Sequence, residues 1–311
     1  MEQSADQTDL NIISALRPSP RMTNKEVAEQ LDLAETTVSQ RIKLMAERNV
    51  MRVVVQKHIF SDGIDTIHLM FVNTSGSTVQ KVSSRIAALE GVFGVTQGIG
   101  NPDIFVTART RSLADALQLS NAIRAIDGVS TVEVSPCLHI HKYESKYGDL
   151  STPSLPPASA NPKDDAVIHA FMRDGRQSYR EVARQLGLTE GAIRQRVNKL
   201  LRSGQIQFQV VVDPAAVSLG TVALIRIATL SNYTREVLDK LTHLEEAPFV
   251  AEVAGQYNVF ALTTNEDTLT LGNFCDNELL TMRGVHALDV QLQVATTTHQ
   301  YQLSYFDNVA T

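Results

Sequence analysis

The sequence predicts an α+β protein in which two winged-helix-like helix-turn-helix domains alternate with two ferredoxin-like βαββαβ domains. A helical segment is repeated 155 positions apart, and each copy is followed by a β-α-β-β-α-β pattern. A stretch rich in Pro, Ser and Ala separates the two copies. We therefore expect five segments: helix-turn-helix domains at 9–57 and 163–212, ferredoxin-like domains at 64–145 and 219–305, and a linker at 146–162.

The repeat is clearest in one helical stretch. KEVAEQLDLAETTVSQRI occupies 25–42, and REVARQLGLTEGAIRQRV occupies 180–197. The same offset aligns GNPDIF at 100–105 with GQYNVF at 255–260. A register that stays constant over that distance indicates duplication of a whole unit. Between the copies, GDLSTPSLPPASANPKDD at 148–165 lacks apolar periodicity, which is typical of a linker.

Capping signals place the helices of each helix-turn-helix domain. Asp9 is expected to cap the first helix of copy one. The T-N-K-E run at 23–26 and the S-Y-R-E run at 178–181 predict capping boxes at the second helices. Those helices should end in left-handed turns at Asp32 and Gly187, a conformation that glycine adopts more readily than aspartate.

The third helix of each copy suggests a function. Its apolar residues recur at helical spacing, which leaves small, amide and basic side chains on the outer face. Gln and Arg can present paired hydrogen-bonding groups to base edges, and Lys and Arg neutralise phosphates. A solvated face or a plain interaction module is the alternative, and the repetition favours DNA. The residues predicted to contact DNA are Thr36, Thr37, Ser39, Gln40, Arg41 and Lys43 in copy one, and Arg194, Gln195, Arg196, Asn198 and Lys199 in copy two.

Charge is distributed unevenly along the chain. The net charge is −6, which by itself disfavours a general nucleic-acid binder. Segment 9–57, however, has eight basic against six acidic residues, and segment 163–212 has nine against five. The rest of the chain therefore carries −12, so positive charge is concentrated on the repeated helices. Because copy two is the more basic, Arg194 and Arg196 are expected to attract phosphate more strongly than Arg41 does.

The second half of each copy alternates strands and helices. Copy one predicts strands at 66–72, 92–99, 103–109 and 129–140, with helices at 78–89 and 112–126. Copy two predicts strands at 221–230, 249–255, 258–264 and 285–294, with helices at 234–244 and 267–282. Gly91, Gly128 and Gly284 are placed to end three of these helices.

Composition excludes several classes of protein. No apolar run reaches the length of a membrane span, and the N-terminus lacks the basic and apolar regions of a signal peptide. The two cysteines, Cys137 and Cys275, cannot build a disulfide framework and are not in CxxC spacing. A cytoplasmic protein that does not contact membranes is expected.

A helix-turn-helix joined to a small β-α-β-β-α-β domain resembles the Lrp/AsnC, or feast/famine, family of transcription regulators. The resemblance covers nearly the whole chain, twice. Its marks are TTVSQRIKLM at 36–45, VVVDPAAVSLG at 210–220 and a Gly-x-x-Asp turn from Gly100 to Asp103. The chain departs from the family because members are usually single units and copy one lacks the Asp-Pro of the connector. Copy two has Asn258 in place of the turn aspartate.

The resemblance implies partners and sites. Double-stranded DNA and a small effector, an amino acid or similar metabolite, would be the ligands. Sheet pairing would make a pseudo-dimer within one chain, with further homo-oligomers. Glycine amides could approach a carboxylate and Asp103 could accept an α-ammonium, whereas Asn258 offers no charge. A tight turn without a ligand is the alternative. The effector residues predicted are Gly98, Gly100, Asp103, Gly255 and Asn258, with copy one expected to be the sensing copy.

Three other functions are weighed against this one. Cys137, His139 and His141 alternate on one strand and could bind zinc or copper, but they lie in a row without a fourth ligand. Siroheme decarboxylases resemble this family, but the second and third strands are poor in the His, Tyr and Arg that such an enzyme needs. An effector-binding partner without DNA binding remains a further alternative. The sequence thus predicts a regulator with no enzyme activity, cofactor or metal.

Overall fold

A computed structural model describes residues 5–60, 66–143, 162–213, 216–217, 220–300 and 303–304. The chain divides into two compact units. The helix-turn-helix unit contains both helix-turn-helix domains and residues 300 and 303–304, and the sheet unit contains both βαββαβ domains. Most of the predicted linker, and parts of the connectors at 61–65, 214–215 and 218–219, lie outside the described residues.

The elements follow the predicted order in both copies. Copy one forms α1 (Gln7–Leu16), α2 (Asn24–Leu31), α3 (Glu35–Glu47), β1 (Met51–His58), β2 (Thr66–Thr74), α4 (Val79–Ala87), β3 (Val92–Gly100), β4 (Ile104–Thr110), α5 (Leu113–Arg124) and β5 (Val129–Tyr143). Copy two forms α6 (Pro162–Arg173), α7 (Tyr179–Leu186), α8 (Glu190–Arg202), β6 (Ile206–Val212), β7 (Thr221–Thr229), α9 (Thr234–His243), β8 (Phe249–Val253), β9 (Val259–Asn265), α10 (Thr268–Asn273) and β10 (Val285–His299). A short β11 covers Leu303–Ser304. In the described part of the chain, no helix is both long and apolar enough to cross a bilayer.

The capping boxes and left-handed turns predicted in the helix-turn-helix domains are present, but other predicted helix ends are not. Three helices of the sheet unit end at the C-caps Ala88, Ala125 and Leu280, before Gly91, Gly128 and Gly284. Both capping boxes form, at the starts of α2 and α7, and both helices end in left-handed residues, Asp32 with φ 53° and Gly187 with φ 64°. The cap of α1, however, is Asp6 and not Asp9. The Asp6 carboxylate accepts a hydrogen bond from the Asp9 amide at 2.9 Å, while Asp9 at the third helical position completes the box.

The strands that follow the helix-turn-helix domains pair with each other across the two copies. β1 runs antiparallel to β6, from Met51 opposite Val212 to Lys57 opposite Ile206. At the centre, Val54 lies opposite Gln209, the residue that occupies the equivalent position in copy two. The pairing is therefore symmetric, like an isologous contact between two subunits.

This strand pairing also mixes the two hydrophobic cores. Val55 of copy one packs in the core of copy two, beside Phe171 and other helix residues. Val210 and Val212 of copy two pack in the core of copy one. Because each core contains side chains from both copies, the two helix-turn-helix domains form one body and not two independent domains.

The sheet unit is a closed eight-stranded barrel with the order β10-β3-β4-β2-β5-β8-β9-β7. Each copy contributes four strands in the ferredoxin-like order, and the copies join where β5 pairs with β8 and β10 pairs with β3. Helices α4 and α5 cover one face of the copy-one strands, and α9 and α10 cover the corresponding face of copy two. The opposite face contains stacked aromatic rings, including Phe105 and Phe260 with centroids 5.1 Å apart.

The repeat offset changes once within the sheet unit. Helix α10 continues as a π-helical turn from Phe274 to Leu279. Leu119 and Ile123 are buried on α5 and lie four residues apart. Their counterparts in copy two, Phe274 and Leu279, lie five residues apart. A π-helical turn accommodates one extra residue. Beyond it the copies are offset by 156, and both joining strand pairs then keep the same register, with Cys137 opposite Val253 and Gln293 opposite Gly98.

Candidate DNA-reading helices and effector turns

The outer faces of α3 and α8 are free of the core in both copies. The buried side chains on the inner face of α3 are Val38 and Met45. Those on the inner face of α8 are Ile193, Val197 and Leu200. The predicted DNA contacts Thr36, Ser39, Gln40, Lys43, Arg194, Gln195, Asn198 and Lys199 are exposed, while Thr37, Arg41 and Arg196 are half-buried. Each face follows the short α2 or α7 and a left-handed turn, which is the order of a DNA-reading helix-turn-helix.

Two of the predicted arginines are bound within their own copy. Arg41 forms ion pairs with Asp6 and with Asp9, the latter at 3.3 Å. Arg196, its equivalent, pairs with Asp164 at 2.6 Å, and Asp164 is the equivalent of Asp9. The Asp9 amide and the Arg41 guanidinium together hold the pKa of Asp6 below its ordinary value. These arginines thus tie the third helix to the first.

Arg194 is placed differently. Its side chain is 58% exposed and pairs with Glu190 one turn earlier, at 2.8 Å. The guanidinium also lies over the Tyr179 ring, 5.1 Å from its centroid. The equivalent residue of copy one is the exposed Ser39. Of the arginines that distinguish the two copies, Arg194 is therefore the one presented on the outer face.

In the predicted effector turn of copy one, Asp103 has structural partners. Its Oδ2 accepts hydrogen bonds from the Thr74 amide at 2.7 Å and from the Thr74 hydroxyl at 2.9 Å. The Asp103 amide donates to Asn73 Oδ1, and the Gly98 amide donates to the Asp103 carbonyl. Among the described residues, Asp103 Oδ1 has no hydrogen bond. One carboxylate oxygen thus anchors the end of β2, and the other makes no hydrogen bond within the described residues.

Asn258 makes the corresponding contacts in copy two. Its Oδ1 accepts from the Thr229 amide at 2.9 Å, and Thr229 is the equivalent of Thr74. Its amide nitrogen donates to the hydroxyls of Thr229 and Thr234. The exchange of aspartate for asparagine thus preserves the acceptor that anchors the end of β7, removes the negative charge and adds an amide donor.

The predicted glycines lie where the strands of the two copies approach each other. A Cβ on Gly98 would lie 2.4 Å from the Gln291 side chain, and one on Gly100, where φ is 121°, would lie 2.7 Å from the Val290 carbonyl oxygen. A Cβ on Gly255 would meet its nearest atom, Ser135 Oγ, at 3.4 Å. The close approach of β10 to β3 explains why copy one needs glycine at both positions.

A buried ion cluster was not predicted from the sequence. Arg226 on β7 is 4% exposed and pairs with Glu133 at 2.9 Å and with Asp289. Its guanidinium lies over two rings, 4.6 Å from the Phe71 centroid and 4.9 Å from the Tyr257 centroid. The available signal was a single arginine inside the apolar strand TVALIRIATL, at the position that phenylalanine occupies in copy one.

Three models of known families match parts of the chain. Residues 6–50 match the winged helix-turn-helix DNA-binding domain, and residues 162–201 match the AsnC-type helix-turn-helix domain. Residues 67–147 match the Lrp/AsnC ligand binding domain. An HTH-type transcriptional regulator of Pyrococcus furiosus, itself uncharacterised, is 30% identical over 130 residues, which are 42% of this chain and 88% of that protein. The chain belongs to the Lrp/AsnC family.

Two further similar proteins match one copy and nearly the whole chain, respectively. The HTH-type transcriptional regulator Ptr1 of Methanocaldococcus jannaschii is 27% identical over 134 residues, 43% of this chain and 90% of that protein. Such relatives have the length of one copy. The solved structure of the siroheme decarboxylase NirDL covers 96% of this chain and 94% of its own, with a TM-score of 0.65 and 12% identity. That likeness shows that the whole two-copy fold has a precedent.

In this Lrp/AsnC protein, Cys137, His139 and His141 on β5 do not form a metal site. Within the described residues, no three His, Cys, Asp or Glu side chains lie together in a way that could hold a metal ion. Burial raises the pKa of Cys137 to about 12, so this side chain stays a neutral thiol at ordinary pH. His139 and His141 pack edge to face at 4.5 Å, and His141 lies 3.7 Å from Glu252 of β8. These side chains belong to the strand pairing between the copies.

Proposed function

We propose that this chain is a transcription regulator that reads two half-sites of duplex DNA with α3 and α8, and that a small metabolite bound to the sheet unit changes its DNA occupancy. The observation that carries the DNA proposal is the presence of two equivalent exposed helix faces in one symmetric body. A helix-turn-helix dimer reads two half-sites with two such faces, and here both come from one chain.

The half-sites need not be identical. Gln40 and Gln195 occupy equivalent exposed positions and can read the same base, since glutamine recognises adenine through two hydrogen bonds. Ser39 and Arg194 also occupy equivalent positions but differ in length, charge and hydrogen-bonding groups. We therefore expect a partly symmetric operator, with a shared core and a stronger contact to the half-site under α8.

Fluorescence anisotropy tests the DNA proposal. The purified chain is titrated against duplex DNA from upstream of its own gene and against a scrambled duplex of the same composition, across a salt series. Tighter binding to the native duplex, weakening steeply with salt, is expected. Absence of binding to both duplexes at low salt would overturn it.

For the effector, we propose an amino acid or related metabolite at the copy-one turn, with its ammonium bound by Asp103 Oδ1. Asn258 can make the strand contacts but offers no negative charge, so copy one would be the sensing copy. Gly98 and Gly100 would shape the turn, and Gly255 would do so in copy two. A response of DNA binding requires that the effector bind two states of the protein with different affinity.

The repeat supplies a matched variant for the effector test. Asp103→Asn keeps an acceptor for Thr74, as Asn258 does for Thr229, while it removes the negative charge and replaces the other carboxylate oxygen by an amide nitrogen. Calorimetry with a pool of amino acids, then with single compounds, should give binding to the wild type and at least about tenfold weaker binding to Asp103→Asn. The converse substitution, Asn258→Asp, should leave the affinity of the copy-one turn for its ligand unchanged. Equal affinity of the wild type and Asp103→Asn would remove Asp103 from the site.

An enzyme resembling the siroheme decarboxylases is the second candidate, favoured by the whole-chain likeness to NirDL. A tetrapyrrole with several carboxylates needs uncompensated positive charge. Arg226 is buried and paired with two carboxylates, and Tyr257 packs on the same guanidinium. We therefore favour a regulator without enzyme activity. Titration with siroheme, followed by visible absorption, would reverse that preference if it showed tight stoichiometric binding.

We also propose that the chain acts in the cytoplasm, where its DNA would be, and that pseudo-dimers associate further. Sedimentation velocity over a range of concentrations measures that association. A sedimentation coefficient that stays at the value of a single chain at all concentrations would contradict it.

A further inference from the structure

Two arginines at equivalent positions of the repeat reach across to the opposite copy. Arg21, between α1 and α2, donates to the carbonyl oxygens of Gly175 at 3.0 Å and Gln177 at 2.9 Å. Arg176, between α6 and α7, donates in return to the Pro20 carbonyl at 3.3 Å and to Asn24 Oδ1 at 2.7 Å. We name these two side chains the arginine pair. The bonds to Gly175 and Pro20 are equivalent under the repeat, the other two are not, and all four cross between copies.

The copy-one member of the arginine pair is embedded in aromatic rings of copy two. The Arg21 guanidinium lies 4.6 Å from the Tyr179 ring centroid, 4.7 Å from that of Phe208 and 5.1 Å from that of Phe171. Cation–π contacts of a desolvated guanidinium are among the stronger contacts of this kind. Burial lowers the pKa of Arg21, and also that of Arg176, from the ordinary arginine value.

One of these rings connects the arginine pair to a reading helix. Tyr179 contacts Arg21 and also contacts Arg194 on α8. The turn of copy two is further held by the Gly175 amide, which donates to the Val53 carbonyl of β1 at 2.7 Å. A Cβ on Gly175 would lie 3.0 Å from that oxygen, so the turn packs directly against the strand of the other copy.

We propose that Arg21 and Arg176 are positioning residues that fix the separation of α3 and α8, so that the chain selects operators by the spacing between half-sites. This inference rests on the proposed DNA binding. Half-site spacing follows the geometry of the protein dimer, with one helical turn of about 10 base pairs as the basic unit. In this chain that geometry is set by the shared cores, by β1 and β6, and by the arginine pair.

The first test varies the DNA spacing. Duplexes are selected from a random library by the wild-type chain, and base pairs are inserted or removed between the half-sites. The wild type should lose at least about tenfold in affinity when half a helical turn, about five base pairs, is inserted. With Arg21→Ala and Arg176→Ala together, that loss in affinity, expressed as a ratio, should be smaller by at least about threefold, because the shared cores and the pairing of β1 with β6 remain but the reading helices can shift further.

Controls separate positioning from general loss of binding. Arg52→Ala removes an arginine of the same unit whose side chain bonds to Asn49 in its own copy, and it should keep the wild-type ratio. If the double alanine variant does not fold, Arg21→Lys with Arg176→Lys replaces it, since lysine keeps the charge without the two-pronged geometry. Weaker binding at every spacing with an unchanged ratio would overturn the proposal.

A second test does not need DNA. Lys43 and Asn198 are equivalent exposed residues of α3 and α8. Spin labels attached to Lys43→Cys and Asn198→Cys report the distance between the two helices by pulsed electron paramagnetic resonance. Cys137→Ala and Cys275→Ala provide the background without other thiols. A narrow distance distribution that broadens when the arginine pair is replaced supports the proposal, and an unchanged distribution refutes it. The chain could fail to bind any DNA and still show a narrow distance distribution that broadens when the arginine pair is replaced. That combination would refute the proposed function, but the role of the arginine pair in fixing the helix separation would stand.

Discussion

Phe71 and Arg226 occupy the same position in the two copies, and they contact each other. The Arg226 guanidinium lies 4.6 Å from the centroid of the Phe71 ring. Each residue also faces a carboxylate on the neighbouring strand, Glu133 opposite Phe71 and Asp289 opposite Arg226. One arginine thus neutralises two acidic residues that are themselves equivalent. Only a chain with two different copies can place one cation between them, because identical subunits would supply two or none.

Arg226→Met should destabilise the sheet unit. Removing the cation leaves Glu133 and Asp289 close together without a partner, and breaking a buried pair in this way costs about 3–5 kcal/mol. Because Glu133 is half exposed, we expect roughly 2–4 kcal/mol in the free energy of unfolding, measured in urea. Adding Glu133→Gln and Asp289→Asn should recover most of the loss. No recovery would mean that packing on Phe71 and Tyr257, and not charge, dominates.

The three arginines of the reading helices should differ in their salt dependence. Arg194→Ala removes an exposed charge, so the slope of log affinity against log salt should decrease by about one. Arg41→Ala and Arg196→Ala break ion pairs to the first helix, so they should lower the melting temperature and the affinity with a smaller change in slope. This departs from the sequence-based expectation that Arg194 and Arg196 act alike. A slope change in Arg196→Ala as large as in Arg194→Ala would restore that expectation.

The capping boxes of α2 and α7 should make stability depend on pH. Hydrogen bonds from Thr23 hold the pKa of Glu26 below its ordinary value, and those from Ser178 do the same for Glu181. A lowered pKa in the folded state adds stability above the unfolded pKa of about 4.3, and this is lost as the pH falls through the folded value.

Glu26→Gln with Glu181→Gln is the test of that pH dependence. The double variant should melt below the wild type at neutral pH, and the two melting curves should converge in acid. Thr23→Ala or Ser178→Ala should cost about 1 kcal/mol at neutral pH through loss of the cap itself. A melting difference that does not change between neutral and acidic pH would contradict the charge argument.

Gly100 and Gly255 form a matched pair for testing the close approach of the strands. Alanine is strained at both, with φ of 121° and 154°, but only at Gly100 would the added Cβ reach 2.7 Å from a backbone oxygen. We expect Gly100→Ala to destabilise the sheet unit by about 1–3 kcal/mol more than Gly255→Ala does. Chemical unfolding of the two variants measures this, and equal losses would show that backbone strain alone decides.

Local features of the chain were determined by the sequence alone. The capping boxes, the left-handed turns at Asp32 and Gly187, and the order of strands and helices depend on residues within one or two turns of each other. The repeat also indicated the family, and it predicted α3 and α8 as the DNA-reading helices. The cap of α1 was misplaced because Asp6 and Asp9 are both acidic and three apart, and either carboxylate could accept a hydrogen bond from the backbone of the first turn.

Contacts between the copies were decided by the tertiary structure. The sequence shows that Arg21 and Arg176 are equivalent, but not that each bonds to the other copy, since partners about 150 positions away leave no local pattern. Nor does it show that Arg41 and Arg196 bind the first helix, or that a π-helical turn shifts the repeat by one residue. Side-chain chemistry and short-range spacing are properties of the sequence. Which buried charge meets which partner depends on how the two copies pack, and it is there that equivalent residues acquire different roles.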